Sequence, residues 1–213
     1  EQEKWQILKG VTLANPDSRY KADIAGGALK LRESRVVAGL LLDGVSDTEW
    51  KDAIEVQNVL QKRSPGTAKR QASLMRLRLE MMKPEIWELV RDGSKIVATH
   101  AVFATAIKHS TLLGDFLDLM VRNQFRMFRQ DLPRKLWLDF VEKCHDREPN
   151  MPEWQESTTN KLGDTVYRIL AEVGYLLDNK KYILQPVRIS GEVMTYLRDN
   201  DEDYVLRCIQ VSL

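Results

Sequence analysis

A mainly α-helical protein is what this sequence predicts: a compact multi-helix bundle with a C-terminal helical part that carries a short β-hairpin. Three observations predict it. Apolar residues recur at helical spacing along most of the chain, capping and breaking residues fall between those runs, and strand-like signal is confined to one stretch after Gly174.

Residues 1–24 read as an N-terminal extension, with the turn formers Asn15-Pro16-Asp17-Ser18 and one short apolar run, Trp5 to Leu8. Residues 25–148 read as the helical bundle. Its first helix is Leu31 to Leu42, ending at Gly44. Ser46 with Glu49 forms a capping box, which predicts a helix through Trp50, Ile54 and Leu60. Ser64-Pro65 opens the next helix, because serine caps and proline at the first helical position has no amide to lose. That helix should run to about Met82. Pro84 opens a short one stopped by Gly93, and Ser94 caps a long apolar helix to about Ser110. Leu112 to Arg129 and Pro133 to about Cys144 complete the bundle, up to the break at Pro149-Asn150-Met151-Pro152. In the C-terminal part, residues 149–213, Leu162, Val166, Ile169, Leu170 and Val173 share one helix face that Gly174 terminates. Tyr175 to Ile189 reads as a hairpin with a polar tip at Asp178 to Lys181. Helices from about Ser190 and over Tyr204 to Val211 end the chain.

The 213 residues are 43% hydrophobic and 30% charged, the composition of a water-soluble globular protein of one domain, or one plus a small appendage. The apolar stretch Ile96 to Ile107 is interrupted by Thr99, His100 and Thr105, so it falls short of the ~20 residues that span a bilayer and reads as a buried helix. No membrane association is expected. The chain begins without a charged and then apolar leader pattern, so the expected compartment is the cytoplasm. Cys144 and Cys208 lie far apart with no CxxC, which predicts inert thiols rather than a disulfide framework or a zinc site.

Catalytic signatures are missing from the sequence. There is no GxxxxGK[ST], GxGxxG, HExxH or nucleophile elbow. His100 and His109 fall on opposite sides of one predicted helix, and the acidic run at Asp199, Asp201, Glu202 and Asp203 lacks the glycine and spacing of a calcium loop. The expectation is a protein that works by binding, without cofactor or metal.

Charge points to what it binds. The formal net charge of +1 hides an asymmetry. Residues 1–55 hold eight basic against ten acidic side chains, residues 56–135 fifteen against seven, and residues 136–213 nine against fourteen. A polyanion would be drawn to the middle third. Between Glu55 and Glu80 no acid occurs, while Lys62, Arg63, Lys69, Arg70, Arg76 and Arg78 do; on a helix, Lys69, Ser73 and Arg76 form an exposed strip. A second row, Arg122, Arg126 and Arg129 at i, i+4 and i+7, is followed by Arg134 and Lys135. Phe116, Leu119, Met120 and Met127 share the core-facing side of that helix, and Asp118 is placed to pair with Arg122. These eleven cations are the candidate nucleic-acid-binding residues. A weaker candidate is the helix from Ser157 to Val173 with its hairpin, which resembles the recognition helix and wing of a winged-helix module. Lys161, Arg168, Lys180 and Lys181 lie on it, diluted by Asp164, Glu172 and Asp178.

Four separated blocks carry a family resemblance: Ala25 to Arg35 (AGGALKLRESR), Leu60 to Ser64 (LQKRS), Ile107 to Ser110 (IKHS) with Leu113 to Asp118 (LGDFLD), and Asp203 to Cys208 (DYVLRC). Together they resemble the BrxA family of bacteriophage-exclusion (BREX) systems, from about Tyr20 to the C-terminus. The family lies in operons that block phage replication alongside a DNA methyltransferase, an ATPase and a phosphatase-like protein. The resemblance implies a helical bundle similar to that of the antitermination factor NusB, binding to double-stranded DNA, and no catalytic residues to carry over. It leaves two alternatives open: binding of RNA, or docking of other BREX proteins without nucleic acid.

Overall fold

The computed structural model of the protein describes residues 18–178 and 182–212. The apolar run Trp5 to Leu8 and the hairpin-tip residues Lys180 and Lys181 lie outside the described residues.

A 3₁₀ turn (Ala22–Gly26) leads into α1 (Leu31–Leu42), α2 (Asp47–Lys51), α3 (Pro65–Glu80), α4 (Pro84–Asp92) and α5 (Lys95–His109). Then α6 (Thr111–Asp115), a π-helical stretch (Phe116–Val121) and α7 (Arg122–Arg126) follow one another without a break. Next come α8 (Lys135–Arg147), α9 (Glu156–Val173), β1 (Leu176–Asp178), β2 (Ile183–Leu184), α10 (Gly191–Asp199) and α11 (Asp203–Ile209).

The hub is α5, which packs against α1, α3, α4, α9, α10 and α11. Its sequence explains the position. Val97, Ala98, Ala101, Val102, Phe103, Ala104, Ala106 and Ile107 leave it apolar on nearly every side, and a helix apolar all round is stable only when covered all round. Four of these are alanines, which let neighbouring backbones come close. No single helix among the described residues is long and apolar enough to cross a membrane. A second knot of aromatic side chains joins the π-helical stretch to α8, with Phe116 meeting both Trp137 and Phe140 edge-on at 5.3 Å between centroids. Residues of every helix but α2 and α7 enter one continuous core that runs from Tyr20 to Val211, so residues 18–24 and the segment after Pro152 share it with the bundle.

Buried polar groups tie the ends of the chain in. The carboxylate of Asp115 accepts hydrogen bonds from Arg19 (2.8 Å), the Tyr20 hydroxyl (2.8 Å) and the Tyr204 hydroxyl (2.9 Å). One buried acid thus clamps the first described residues and the last helix to α6. Burial, with Arg78 near, pulls the His109 imidazole down to about 4.

The start signals read from the sequence are realised by hydrogen bonds. Ser46 and Glu49 make both bonds of a capping box, Ser64 accepts from Thr67 with Pro65 at the first position, and Ser94 accepts from Val97. Two expectations are corrected. The helix after Ser46 does not reach Leu60; it relaxes into a π-helical turn (Asp52–Val56), and Asn58 and Gln61 then take positive φ. The helix from Leu112 does not continue to Arg129. Six π-helical residues shift the register, since each i→i+5 turn holds an extra residue. Leu119 and Met127, expected on the core side, are consequently 38% and 53% exposed.

Candidate nucleic-acid interface

Nine of the eleven cations read from the sequence separate into three groups once folded, and Arg126 and Arg129 stand apart. The first is buried or spent. Arg78 is 1% exposed and donates to the carbonyls of Ala28 and Gly27, both at 3.0 Å, while its Nε has no partner. It is a core residue and not a phosphate contact. The reason is local: the turn after Gly26 leaves two carbonyls over α3, and a guanidinium is the side chain that can reach and satisfy both. Burial pulls it down to about 10, against the favourable pull of Asp23 and Glu172. Lys62 pairs with Glu33. Arg76 pairs with Glu80 (2.7 Å), reaches Asp47 (3.6 Å) and lies over the Trp50 ring at 4.7 Å, so it is not part of a free strip. Arg122 bonds Asp118 (2.8 Å) and the carbonyls of Gln210 (3.0 Å) and Arg207, fastening the C-terminal segment. The acid-free window between Glu55 and Glu80 is acid-free only along the chain; folding brings Glu33, Asp47 and Glu55 against it.

The second group stays exposed on α3 and the loop before it. Arg63 and Arg70 face solvent without an ion pair among the described residues, and Lys69 is loosely held by Glu55 at 3.4 Å.

The third group surrounds α8, α9 and the hairpin. Arg134 lies over the Tyr167 ring at 4.9 Å, pairs with Asp164 at 2.8 Å and donates to the Asn160 carbonyl at 3.3 Å. The Trp137 indole donates to the Thr159 carbonyl (2.9 Å) and the Tyr167 hydroxyl to the Pro133 carbonyl (3.0 Å). These bonds fix the start of α8 against the first half of α9. Arg134 is therefore a positioning residue, and it neutralises one of the acids that diluted α9. Lys135, Lys161 and Arg168 are exposed beside it and enter no ion pair among the described residues. Arg134, Asp164, Tyr167, Arg168 and Tyr182 line one hollow of about 200 Å³ where helix and hairpin meet. Glu172, also counted against α9, accepts from the Leu29 amide at 2.9 Å.

The hairpin has a third partner that the sequence did not announce. Asp131 bridges Ile183 in antiparallel sense, with Leu132 donating to the Tyr182 carbonyl and Leu184 to the Gln130 carbonyl, both at 2.9 Å. The chain order across this edge is Asp131, β2, β1. A single bridge between polar and mixed residues leaves no alternating pattern to read.

Arg126 and Arg129 belong to none of these groups. The helix ends at Arg126, and Phe128 takes φ 54°. Phe128 donates to the Phe125 carbonyl (3.0 Å) and Arg129 to the Gln124 carbonyl (2.9 Å), the bond pair of a Schellman C-cap. Glycine is the usual residue where Phe128 stands, as it is at Gly174 (φ 103°), which ends α9. The Phe128 ring is 92% exposed, whereas Phe125, one turn earlier, packs on Tyr175 at 6.2 Å. The reading of Leu112 to Arg129 as one uninterrupted helix hid this residue. The only trace in the sequence is that neither Gly nor Asn stands where that helix must stop.

Among the described residues no group of three or more His, Cys, Asp or Glu side chains is placed to hold a metal ion. Burial pushes both thiols, Cys144 and Cys208, up to about 11.

A family model described as BrxA matches residues 18–201. The protein named "BREX protein BrxA" from Paramagnetospirillum magneticum is 70% identical over 197 residues, covering 92% of this chain and 99% of its own length. A namesake from Escherichia coli is 33% identical over 194 residues, covering 91% of each chain. The crystal structure of an uncharacterized protein from Magnetospirillum magneticum superposes with a TM-score of 0.86 at 68% identity, covering 91% of this chain and 100% of that one.

Proposed function

The chain belongs to the BrxA family of BREX phage-defence proteins, and from that premise we propose that it acts there as a non-enzymatic, DNA-binding accessory component. The observation that carries this reading is the order of elements from α6 to β2. A helical rod, a bridging residue at Asp131, α8, α9 and a hairpin whose second strand lies in the middle follow the order of a winged helix-turn-helix. In such units the second and third helices and the wing meet the duplex. Here those positions hold Lys135 at the start of α8 and Lys161 and Arg168 along α9, unpaired among the described residues, with Arg134 anchoring one helix to the other. The three α3-side cations that folding pairs or buries, Lys62, Arg76 and Arg78, leave Arg63, Lys69 and Arg70 as a subsidiary patch.

Phosphate contacts of this kind bind with little sequence preference and weaken steeply with salt, because each one releases a condensed counterion. The test is a titration of duplex DNA at several salt concentrations with the wild type, Lys135→Glu/Lys161→Glu/Arg168→Glu, and Arg63→Glu/Arg70→Glu. The first variant is expected to lose binding and to reduce the salt slope by about three; the second should weaken binding only modestly. A larger loss in the second variant than in the first would move the interface to α3. Wild type that ignores duplex DNA but takes up single-stranded or structured RNA would replace the DNA reading with an RNA one.

A further inference from the structure

We infer that the turn Arg126-Met127-Phe128-Arg129 is a docking knob for a partner protein of the same BREX system, one that offers an apolar socket rimmed by carboxylates. Three observations carry this independently of DNA binding. First, the turn exposes apolar surface that none of the described residues covers: Phe128 at 92% and Met127 at 53%. An aromatic ring, a methionine and arginines are the residue types enriched at the cores of protein interfaces.

Second, the ring is held out against its own preference. A bulky side chain at φ 54° is strained, and the Schellman bonds of Phe128 and Arg129 keep the turn from relaxing. From Gln130 onward the chain is clamped to β2 by the Leu184 and Leu132 amide bonds. The knob is pre-organised, so docking it costs little ordering entropy.

Third, the charge on the rim names the partner's chemistry. Arg126 and Arg129 are exposed and enter no ion pair among the described residues, whereas Arg122, earlier on the same rod, is held by Asp118. A ring flanked by two free guanidiniums fits a socket lined with Asp and Glu. Its location also separates it from the proposed DNA face. The segment from Gln130 to Leu132, held to β2, stands between Phe128 and the start of α8.

The test uses cells carrying the complete BREX system with this chain tagged. The other BREX proteins that co-purify are quantified for wild type, Phe128→Asp, Phe128→Gly and Arg126→Glu/Arg129→Glu. Asp and Gly both suit the backbone at this position, so each variant folds and the contact is what changes. Expected are a loss of about tenfold or more in a specific co-purifying BREX protein for all three variants with a matching loss of phage restriction, and unchanged duplex affinity for Phe128→Asp and Phe128→Gly. Undiminished co-purification in Phe128→Asp, or wild type that retains no BREX protein, would overturn the knob. So would sedimentation showing that Phe128→Asp only dissolves a self-associated form. Because duplex affinity is read separately, the winged-face proposal stands or falls on its own measurement.

Discussion

Arg78 and Phe128 are mirror cases. The first is a cation 1% exposed in the core; the second is an aromatic ring 92% exposed at a helix end. At these two positions burial follows what the surrounding backbone leaves unsatisfied rather than side-chain type. Around Arg78 two carbonyls needed donors, and the guanidinium supplied them. Around Phe128 the helix termination satisfied the amides of Met127, Phe128 and Arg129 by backbone bonds alone, with no need of the side chain. A charged row counted along the chain is therefore a poor measure of the field it makes. The α3 row spends Lys62, Arg76 and Arg78 inside the fold, while Arg126, Arg129, Lys135, Lys161 and Arg168 remain available.

The comparison can be broken most severely at Arg78. Arg78→Met removes the donors to Gly27 and Ala28 and leaves Asp23 and Glu172 without their buried counter-charge, so a loss of about 3 kcal/mol is expected. Thermal denaturation should show it as a fall of about 6–12 °C. A surface role for Arg78 would leave the midpoint in place.

The two αL helix ends sharpen the contrast at smaller scale. Gly174→Ala forces a Cβ into φ 103° and should destabilise by about 1–2 kcal/mol, whereas Phe128→Gly relieves the same kind of strain and should stabilise by about 1 kcal/mol. Denaturant titration with unchanged m-values checks both signs. If Phe128→Gly destabilised the protein, the ring would be contributing to the fold, and its reading as a knob would weaken.

The smallest effect is expected at Lys69. Its contact with Glu55 is long, 3.4 Å, and the ammonium is well solvated, so Lys69→Ala should change stability by less than about 0.5 kcal/mol. A clear destabilisation would mean that the exposed end of the α3 row is structural as well.

Much of the fold was readable along the chain because its signals are local. Ser46 with Glu49, Ser64-Pro65, Pro84, Ser94 and Gly174 each act within one turn of helix, and each marks an observed boundary. The all-round apolar run of α5 could only be buried. The π-helical stretch at Phe116–Val121 was not readable, since an extra residue per turn depends on how Phe116 meets Trp137 and Phe140 across the core. For the same reason the expected placement of Leu119 and Met127 inside failed.

What the sequence by itself determined was the helical class, the caps, the central buried helix and the family, all set by short-range spacing and by blocks of residue identity. What only the tertiary structure decided was which cations stay free, that Asp131 joins the hairpin, and that Phe128 faces outward. Those outcomes depend on partners far away in sequence, such as Glu33 for Lys62, Ala28 for Arg78 and Ile183 for Asp131. Electrostatic pairing and backbone satisfaction act through space, and no count along the chain contains the distances that govern them.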